Sequence, residues 1–461
     1  MYDLLIVGGG PAGYAAAVRV RQLGGQVLLV EAGKVGGTCL HRGCIPSKVL
    51  QQCAAAVEKS RYYQTLELLR GAVQVSPEAI GRRQQEVISR QYEGLLRLLH
   101  SHRIPIIEGR AHVSAPGRVQ VTDKTGRLTD FLAKSVLLAT GSREAGLNFP
   151  GAALASGAET SLGPPAKPCR VVVIGAGSTG LELASAYTAL GFQVTVAEKE
   201  KQLLPSLDDD EVRQWLRFFL KKRGLVFYVG ATVQEIAAAA DGMQVRLETE
   251  AGGKDITADM VIDASGRVPS LDVLGESLAG VVVNSGGWLC VNDKLETSVA
   301  GLYAAGDVTG PPLLANLAYA QGMVAAENAL GFSSRLEGRA IPHFLGTVPE
   351  VAWVGLTESE VARRGGFCRS GKFPFAANGC AQVHGRPEGF VKIVTLEDGT
   401  VAGMQILGGP ASEMIMEGVL AIENKLSFHD LARTIHPHPT FAETVWEAGL
   451  TLGAGGQIWT S

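Results

Sequence analysis

At 461 residues the chain is longer than one hydrophobic core organises, which suggests about three domains. Its 58 glycines, with 46% apolar and only 6% aromatic residues, fit an α/β protein with many tight strand-to-helix turns better than a β-sandwich. A formal charge of −3 argues against a nucleic-acid surface or a polybasic membrane anchor, and no apolar run is long enough to span a bilayer.

The first segment reads strand (residues 4–7), turn, helix (14–23), strand (26–30). No basic leader precedes it, so a cytoplasmic home is expected, and in that reducing setting seven cysteines are not expected as structural staples. The turn is Gly8-Gly9-Gly10-Pro11-Ala12-Gly13. Gly8 permits the tight bend, Gly10 lets the backbone approach a pyrophosphate, and Gly13 allows close helix-strand packing. Glu31 ends the second strand, 18 residues past Gly13, where a carboxylate can accept both hydroxyls of an adenosine ribose. A glycine-rich turn without ligand is the alternative, and the strand, helix and terminal acid together weigh against it.

Next comes Gly36-Gly37-Thr38-Cys39-Leu40-His41-Arg42-Gly43-Cys44-Ile45-Pro46-Ser47-Lys48, followed by a helix-compatible run to Val57. Two cysteines at this spacing can close a small ring across a first helical turn. A thiol at a helix N-terminus is expected to have a lowered pKa. Zinc would want a tighter C-x2-C with a second pair, and none of Cys53, Cys169, Cys290, Cys368 and Cys380 supplies one. The pair alone leaves a redox disulfide, an inert disulfide and two unconnected thiols open.

A long amphipathic helix is predicted over residues 77–102, then strands around 104–113 and 118–121. Residues 136–138 form a buried strand ending in Ala139-Thr140-Gly141-Ser142, and residues 157–168 read as a linker. The opening grammar then repeats: a strand over 171–174, the turn Gly175-Ala176-Gly177-Ser178-Thr179-Gly180, a helix over 181–190, and a strand ending on Glu198, again 18 residues past the third glycine. Two nucleotides are implied. Glu198 favours a free ribose 2′-hydroxyl, hence NAD over NADP, while the adjacent Lys199 and Lys201 pull the other way or stand as solvated charges. Asp307, after Gly306, can hold a ribityl chain or cap a helix beginning near Leu314; alone, the cap is the simpler reading. From about residue 341, strands (350–354, 368–373, 390–395, 401–407) mix with helices (413–424, 428–434, 440–452). This region holds His436-Pro437-His438-Pro439-Thr440-Phe441-Ala442-Glu443, in which a histidine oriented by a carboxylate can serve as a base, or the two histidines can form a metal pair or simply face solvent.

With these residues in view, the whole chain resembles the pyridine nucleotide-disulfide oxidoreductases. The resemblance rests on 36–39 through 43–48, both glycine turns, 139–141, Gly306-Asp307, and His438-Pro439-Thr440 with Glu443. Its nearest members oxidise dihydrolipoamide. The resemblance implies two Rossmann-like dinucleotide-binding domains and a C-terminal α+β dimerisation domain: FAD domain over 1–145 and 266–338, NAD domain over 146–265, interface over 339–461. It implies FAD on the first fold and NAD on the second, with Cys44 against the flavin and Cys39 exchanging with substrate. Lys48 would pair with Glu182 near the flavin. Asp307, Gly37, Thr38, Ala111, Thr140, Gly141 and Ala315 would belong to the FAD site, and Gly175, Gly177, Gly180, Glu198 and Gly266 to the cofactor sites.

By the same resemblance His438 and Glu443 act from a second subunit, so the active unit is a homodimer that oxidises a lipoylated carrier of a 2-oxo acid dehydrogenase complex or the glycine cleavage system. Neither nucleic acid nor a membrane is expected as partner. The alternative is a related NAD(P)H-dependent reductase of another low-molecular-weight disulfide; a flavin-binding scaffold without turnover is a rival of another class. The C-terminal residues 455–461 lack a cysteine pair, against mercuric and large thioredoxin reductases, and Glu198 opposes an NADPH-linked glutathione reductase. Two departures stand out. His41-Arg42 replaces the usual Asn-Val between the cysteines. Residues 315–322, Ala-Asn-Leu-Ala-Tyr-Ala-Gln-Gly, are unlike the charged version, His-Lys-Ala-Glu-Asp-Glu-Gly, found in many dihydrolipoamide-oxidising members.

Overall fold

The computed structural model describes residues 1–274, 280–336 and 340–453. The expected boundary at 338/339 and the C-terminal stretch 455–461 lie outside the described residues. Two compact units divide the chain: residues 1–49, 81–145 and 266–337 form one, and residues 50–80, 146–265 and 338–461 the other.

In the first unit, the run Leu4–Val7 is buried on both faces and sits mid-sheet, as a parallel strand must. Strands run Ile106–Glu108, Val27–Glu31, Tyr2–Val7, Leu128–Leu138 and Leu302–Ala304, all parallel where they pair. The first half of Leu128–Leu138 also pairs antiparallel with Arg118–Thr122, which pairs with Arg110–Ala115. The helices Pro11–Gln22 and Ala315–Ala329 pack together beside the sheet, and Gly322 is what permits it: a Cβ there would lie 2.1 Å from the Ala12 carbonyl oxygen.

The second unit repeats the parallel plan with Val226–Val229, Gln193–Glu198, Arg170–Ile174, Met260–Asp263 and Ser156–Gly157. The stretch expected as a linker is therefore partly sheet. Beyond Gly157, Ala158 and Leu162 are buried in the core, and the Tyr187 hydroxyl donates to the Ser161 carbonyl at 2.8 Å. A three-stranded antiparallel sheet, Thr232–Ala239, Gly242–Thr249 and Gly252–Ala258, had no counterpart in the sequence reading. The C-terminal region is a five-stranded antiparallel sheet in the order His343–Leu345, Val351–Gly355, Val401–Leu407, Phe390–Leu396, Cys368–Pro374, covered by Ala411–Glu423 and Glu443–Leu450.

Lys392 stands in the middle of this unit, 3% exposed, with Nζ 2.5 Å from Asp209, 3.3 Å from Glu358 and 3.4 Å from Glu211. Burial works against its charge, but the three carboxylates more than offset that and hold its pKa above the ordinary lysine value. Lys392→Met strands the buried Asp209 carboxylate and is expected to lower stability by about 3–5 kcal/mol. Lys372→Ala removes a surface pair with Glu211 and a cation–π contact with the Phe390 ring, and should cost about 1 kcal/mol. Denaturant titration of both variants checks the contrast; equal losses would contradict it.

Candidate active site

Both glycine turns discriminate sharply between what the protein fills and what it leaves open. A Cβ on Gly8 would lie 2.3 Å from the Ala139 carbonyl oxygen, and one on Gly13 1.8 Å from the Gly8 carbonyl oxygen. In the second fold the matching distances are 2.4 Å, from Gly175 to Ala264, and 2.0 Å, from Gly180 to Gly175. The middle glycines differ: a Cβ on Gly10 would meet nothing nearer than the Gly37 Cα at 3.9 Å, and one on Gly177 nothing within 4 Å. Backbone left bare at the start of a helix fits a pyrophosphate.

The terminal acids hold these turns in place. Glu31 accepts Gly9 N–H and Gly33 N–H, both at 2.7 Å. Glu198, 6% exposed, accepts Ala176 N–H at 2.5 Å and Glu200 N–H at 2.9 Å. Each oxygen keeps a lone pair for a ribose hydroxyl. Lys199 is exposed and Lys201 pairs with Glu250 at 2.8 Å. A cavity of about 570 Å³ beside Glu31 is lined also by Lys34, Gly37, His41 and Arg42.

The thiol segment is tied to the first turn. Gly36 N–H donates to the Gly9 carbonyl at 2.7 Å, and Gly37, with φ +59°, packs so that a Cβ would lie 2.8 Å from the Gly10 Cα. The two cysteines do not share one helical turn as expected. Cys39 lies in the short helix Gly37–Arg42, and Cys44 opens the helix Cys44–Thr65; Gly43, at φ −137° and ψ −109°, breaks the chain between them. The thiols of Cys39 and Cys44 hydrogen-bond each other.

The pKa expectation is corrected for Cys39, which is raised and not lowered. The bond to Cys44 is the main cause, followed by burial and by the negative charges of Cys44 and Asp307. The positive end of the long helix acts on Cys44, its first residue.

Asp307 is not the cap of the next helix. It opens a short 3-10 turn, Asp307–Thr309, while Ala315–Ala329 begins after Leu314 with no side-chain cap. Asp307 accepts the Ser142 hydroxyl at 2.7 Å, and Arg267 Nε donates to that same hydroxyl at 2.7 Å. Gln321 accepts Gly306 N–H at 2.7 Å. Sequence reasoning gave Ser142, Arg267 and Gln321 no role; only their adjacency to the Thr140-Gly141, Gly266 and Gly306 turns pointed to them. Thr140 donates to the Ser270 carbonyl at 2.7 Å, and Gly141 takes φ +70°. Gly266, at φ +151°, accepts Ala145 N–H. Thr38 sits beside Cys39, Ala111 on the strand Arg110–Ala115 and Lys48 on the helix Cys44–Thr65. Glu182, on the helix Ser178–Ala189, accepts Gly346 N–H at 2.6 Å.

In the second unit His438 Nδ1–H donates to Glu443 at 2.7 Å, and the other oxygen of Glu443 accepts Thr440 N–H at 2.7 Å. The carboxylate is thereby fixed, while the His438 side chain stays 81% exposed. His436 is engaged elsewhere. Its Nδ1 faces the Thr434 carbonyl at 3.0 Å and its Nε2 faces Glu417 at 3.0 Å. Its pKa is raised, chiefly by the hydrogen bond to Glu417. Among the described residues no group of three or more His, Cys, Asp or Glu is placed to hold a metal.

A raised histidine stabilises the fold fully below its unfolded pKa and loses that contribution as pH rises through the folded one. The gap in thermal midpoint between the parent chain and Glu417→Gln should therefore be larger at pH 6 than at pH 9. A gap independent of pH would contradict the raised pKa of His436.

Comparison with known proteins places this geometry. Residues 2–322 match the family model described as pyridine nucleotide-disulphide oxidoreductase, and residues 341–449 match that family's dimerisation domain. The chain is 38% identical over 456 residues to a dihydrolipoyl dehydrogenase of Thermus scotoductus, covering 98% of this chain and 97% of that one. It is 33% identical to a leghemoglobin reductase of Glycine max, covering 97% and 87%. The crystal structure of LpdA from Mycobacterium tuberculosis superposes with a TM-score of 0.87 at 27% identity, covering 98% and 99%. With nucleotide turns, a facing thiol pair and a C-terminal dimerisation domain on one chain, the protein belongs to the pyridine nucleotide-disulphide oxidoreductases.

Proposed function

We propose that the chain is a dihydrolipoyl dehydrogenase, oxidising dihydrolipoyl groups to lipoyl with NAD as final acceptor. The observation that carries this reading is the Cys39–Cys44 contact held on the first nucleotide turn. FAD on the first fold would be cradled by Gly10 and Glu31, with Lys48, Thr38, Ala111, Thr140, Gly141, Asp307 and Ala315 around it. NAD on the second would lie against Gly177 and Glu198, near Glu182 and Gly266. When bound, FAD supplies two-electron acceptance from the thiols and passes the pair as hydride to NAD.

The chain's own residues do the sulfur chemistry. The partner subunit's His438 takes a proton from the substrate dithiol at Nε2, while Glu443 holds Nδ1–H and stabilises the imidazolium. The substrate thiolate attacks Cys39 of the disulfide, forming a mixed disulfide and releasing the Cys44 thiolate. The second substrate sulfur then attacks the first, closing the lipoyl disulfide and leaving Cys39 reduced. The substrate thus loses two electrons and the cysteine pair gains them.

The working unit is a homodimer, and its natural substrate is the lipoylated carrier of a 2-oxo acid dehydrogenase complex or of the glycine cleavage system, in the cytoplasm. No helix among the described residues is long and apolar enough to cross a membrane. A second reading, a reductase of another low-molecular-weight disulfide, is favoured by one observation: the stretch 315–322 lacks the charged residues of the dihydrolipoamide-oxidising pattern, and its Tyr319 hydroxyl bonds that of Tyr14.

The purified protein with dihydrolipoamide should reduce NAD at least about tenfold faster than NADP. His438→Gln should lower that rate by about 10²–10⁴-fold. Bound flavin with no dihydrolipoamide turnover, or a preference for NADP, contradicts the assignment.

A further inference from the structure

The His438 ring has little packed around it to fix its direction: Pro437, His438 and Pro439 are all exposed. That direction depends on the bond to Glu443, and the place of the Glu443 carboxylate depends in turn on Thr440. Thr440 is held at three points. Its N–H donates to Glu443 Oε2 at 2.7 Å, its hydroxyl donates to the Pro437 carbonyl at 2.8 Å, and its own carbonyl accepts Asn378 Nδ2 at 2.9 Å. The first two bonds lie inside the segment 437–443 and would travel with it. The third reaches across 62 positions to another part of the same unit.

Asn378 is itself firmly placed. It stands between the 3-10 turn Phe375–Ala377 and the helix Gly379–His384, and it is 5% exposed. Its backbone N–H donates to the Phe375 carbonyl at 3.0 Å, and its carbonyl accepts Gln382 N–H at 3.1 Å. In the side chain, Oδ1 accepts Ala381 N–H at 2.9 Å and so caps the helix. An amide whose oxygen is committed to an N–H must turn its NH2 the other way, and here that way is the Thr440 carbonyl. The same element seats the next residue along: the Phe441 ring meets the buried Phe375 edge to face, 6.0 Å between centroids, and lies 5.3 Å from the His384 ring. Asn378 thereby sets the peptide plane after Thr440, and Glu443 the plane before it.

We propose that Asn378 is a positioning residue for the base: by holding the Thr440 carbonyl it sets the N–H that holds Glu443, and through Glu443 the direction in which the His438 ring presents Nε2. The inference rests on the reading of His438 as the base. It is independent of which dithiol is the natural substrate.

The test is steady-state oxidation of dihydrolipoamide by the flavin-loaded protein, with rates referred to bound flavin. Asn378→Ser keeps a side chain that caps the helix but is too short to reach Thr440. It should lower kcat about tenfold while KM stays within about twofold of the parent value. In a His438→Gln background the same substitution should change kcat by less than about twofold, because residues that act through one group are not additive. Asn378→Asp keeps both cap and shape but turns an oxygen toward the Thr440 carbonyl; measured at pH 8, it should lower kcat at least as far, and it carries the test if the Ser variant does not fold. A parental kcat in either variant, a raised KM with kcat unchanged, or a full tenfold loss on top of His438→Gln overturns the proposal. Parental turnover in His438→Gln alone overturns the reading of His438 as the base, and this proposal with it. A loss in His438→Gln beside a parental kcat in Asn378→Ser overturns only the role given to Asn378.

Discussion

The structure depends on one backbone contact, the docking of the thiol segment on the first nucleotide turn. Gly36 N–H bonds to Gly9, and Gly37 lies against Gly10, so the same bare glycine that opens the turn to a pyrophosphate also fixes where Cys39 begins its helix. Any side chain at Gly37 would both force an unfavourable left-handed backbone and press on Gly10. Position of the sulfur pair and shape of the nucleotide cradle are therefore one structural fact. Glu31 strengthens it by holding Gly9 N–H from the neighbouring strand.

That coupling explains why the chemistry is distributed as it is. The groups that act on Cys39 lie in the first unit: Cys44, by its hydrogen bond and its charge, and Asp307, by its charge. The proposed base, His438, is built separately, on the region that matches the family's dimerisation domain. There Glu443 is locked by Thr440 N–H while the His438 ring is left exposed, which is compatible with the proposed role of a base reaching beyond its own chain.

Much of this was legible in the sequence because it is dictated locally. The glycine turns follow from steric demands within a few residues, and the distances at Gly8, Gly13, Gly175 and Gly180 are those demands made concrete. The His438–Glu443 pair spans five positions and was equally readable. What escaped was set by contacts distant in the chain. Tyr14 and Tyr319 are 305 positions apart, and Ser142 meets Asp307 across 165. The sheet Thr232–Ala258 escaped because its strands are mostly exposed on one side, with little continuous apolar signal. The cysteine spacing misled in one respect: helix-dipole reasoning considered each thiol alone, whereas two thiols in contact oppose each other's ionisation, so the Cys39 pKa is pushed up.

The central claim is that Cys39 and Cys44 form a disulfide that accepts an electron pair from a dithiol. Counting thiols under denaturing conditions, before and after anaerobic treatment of the flavin-loaded protein with dihydrolipoamide, tests it most directly. The account predicts five titratable thiols of the seven cysteines in the oxidised protein and all seven after treatment, the two new ones mapping to Cys39 and Cys44. Seven thiols in both states, or new thiols at other cysteines, would contradict it.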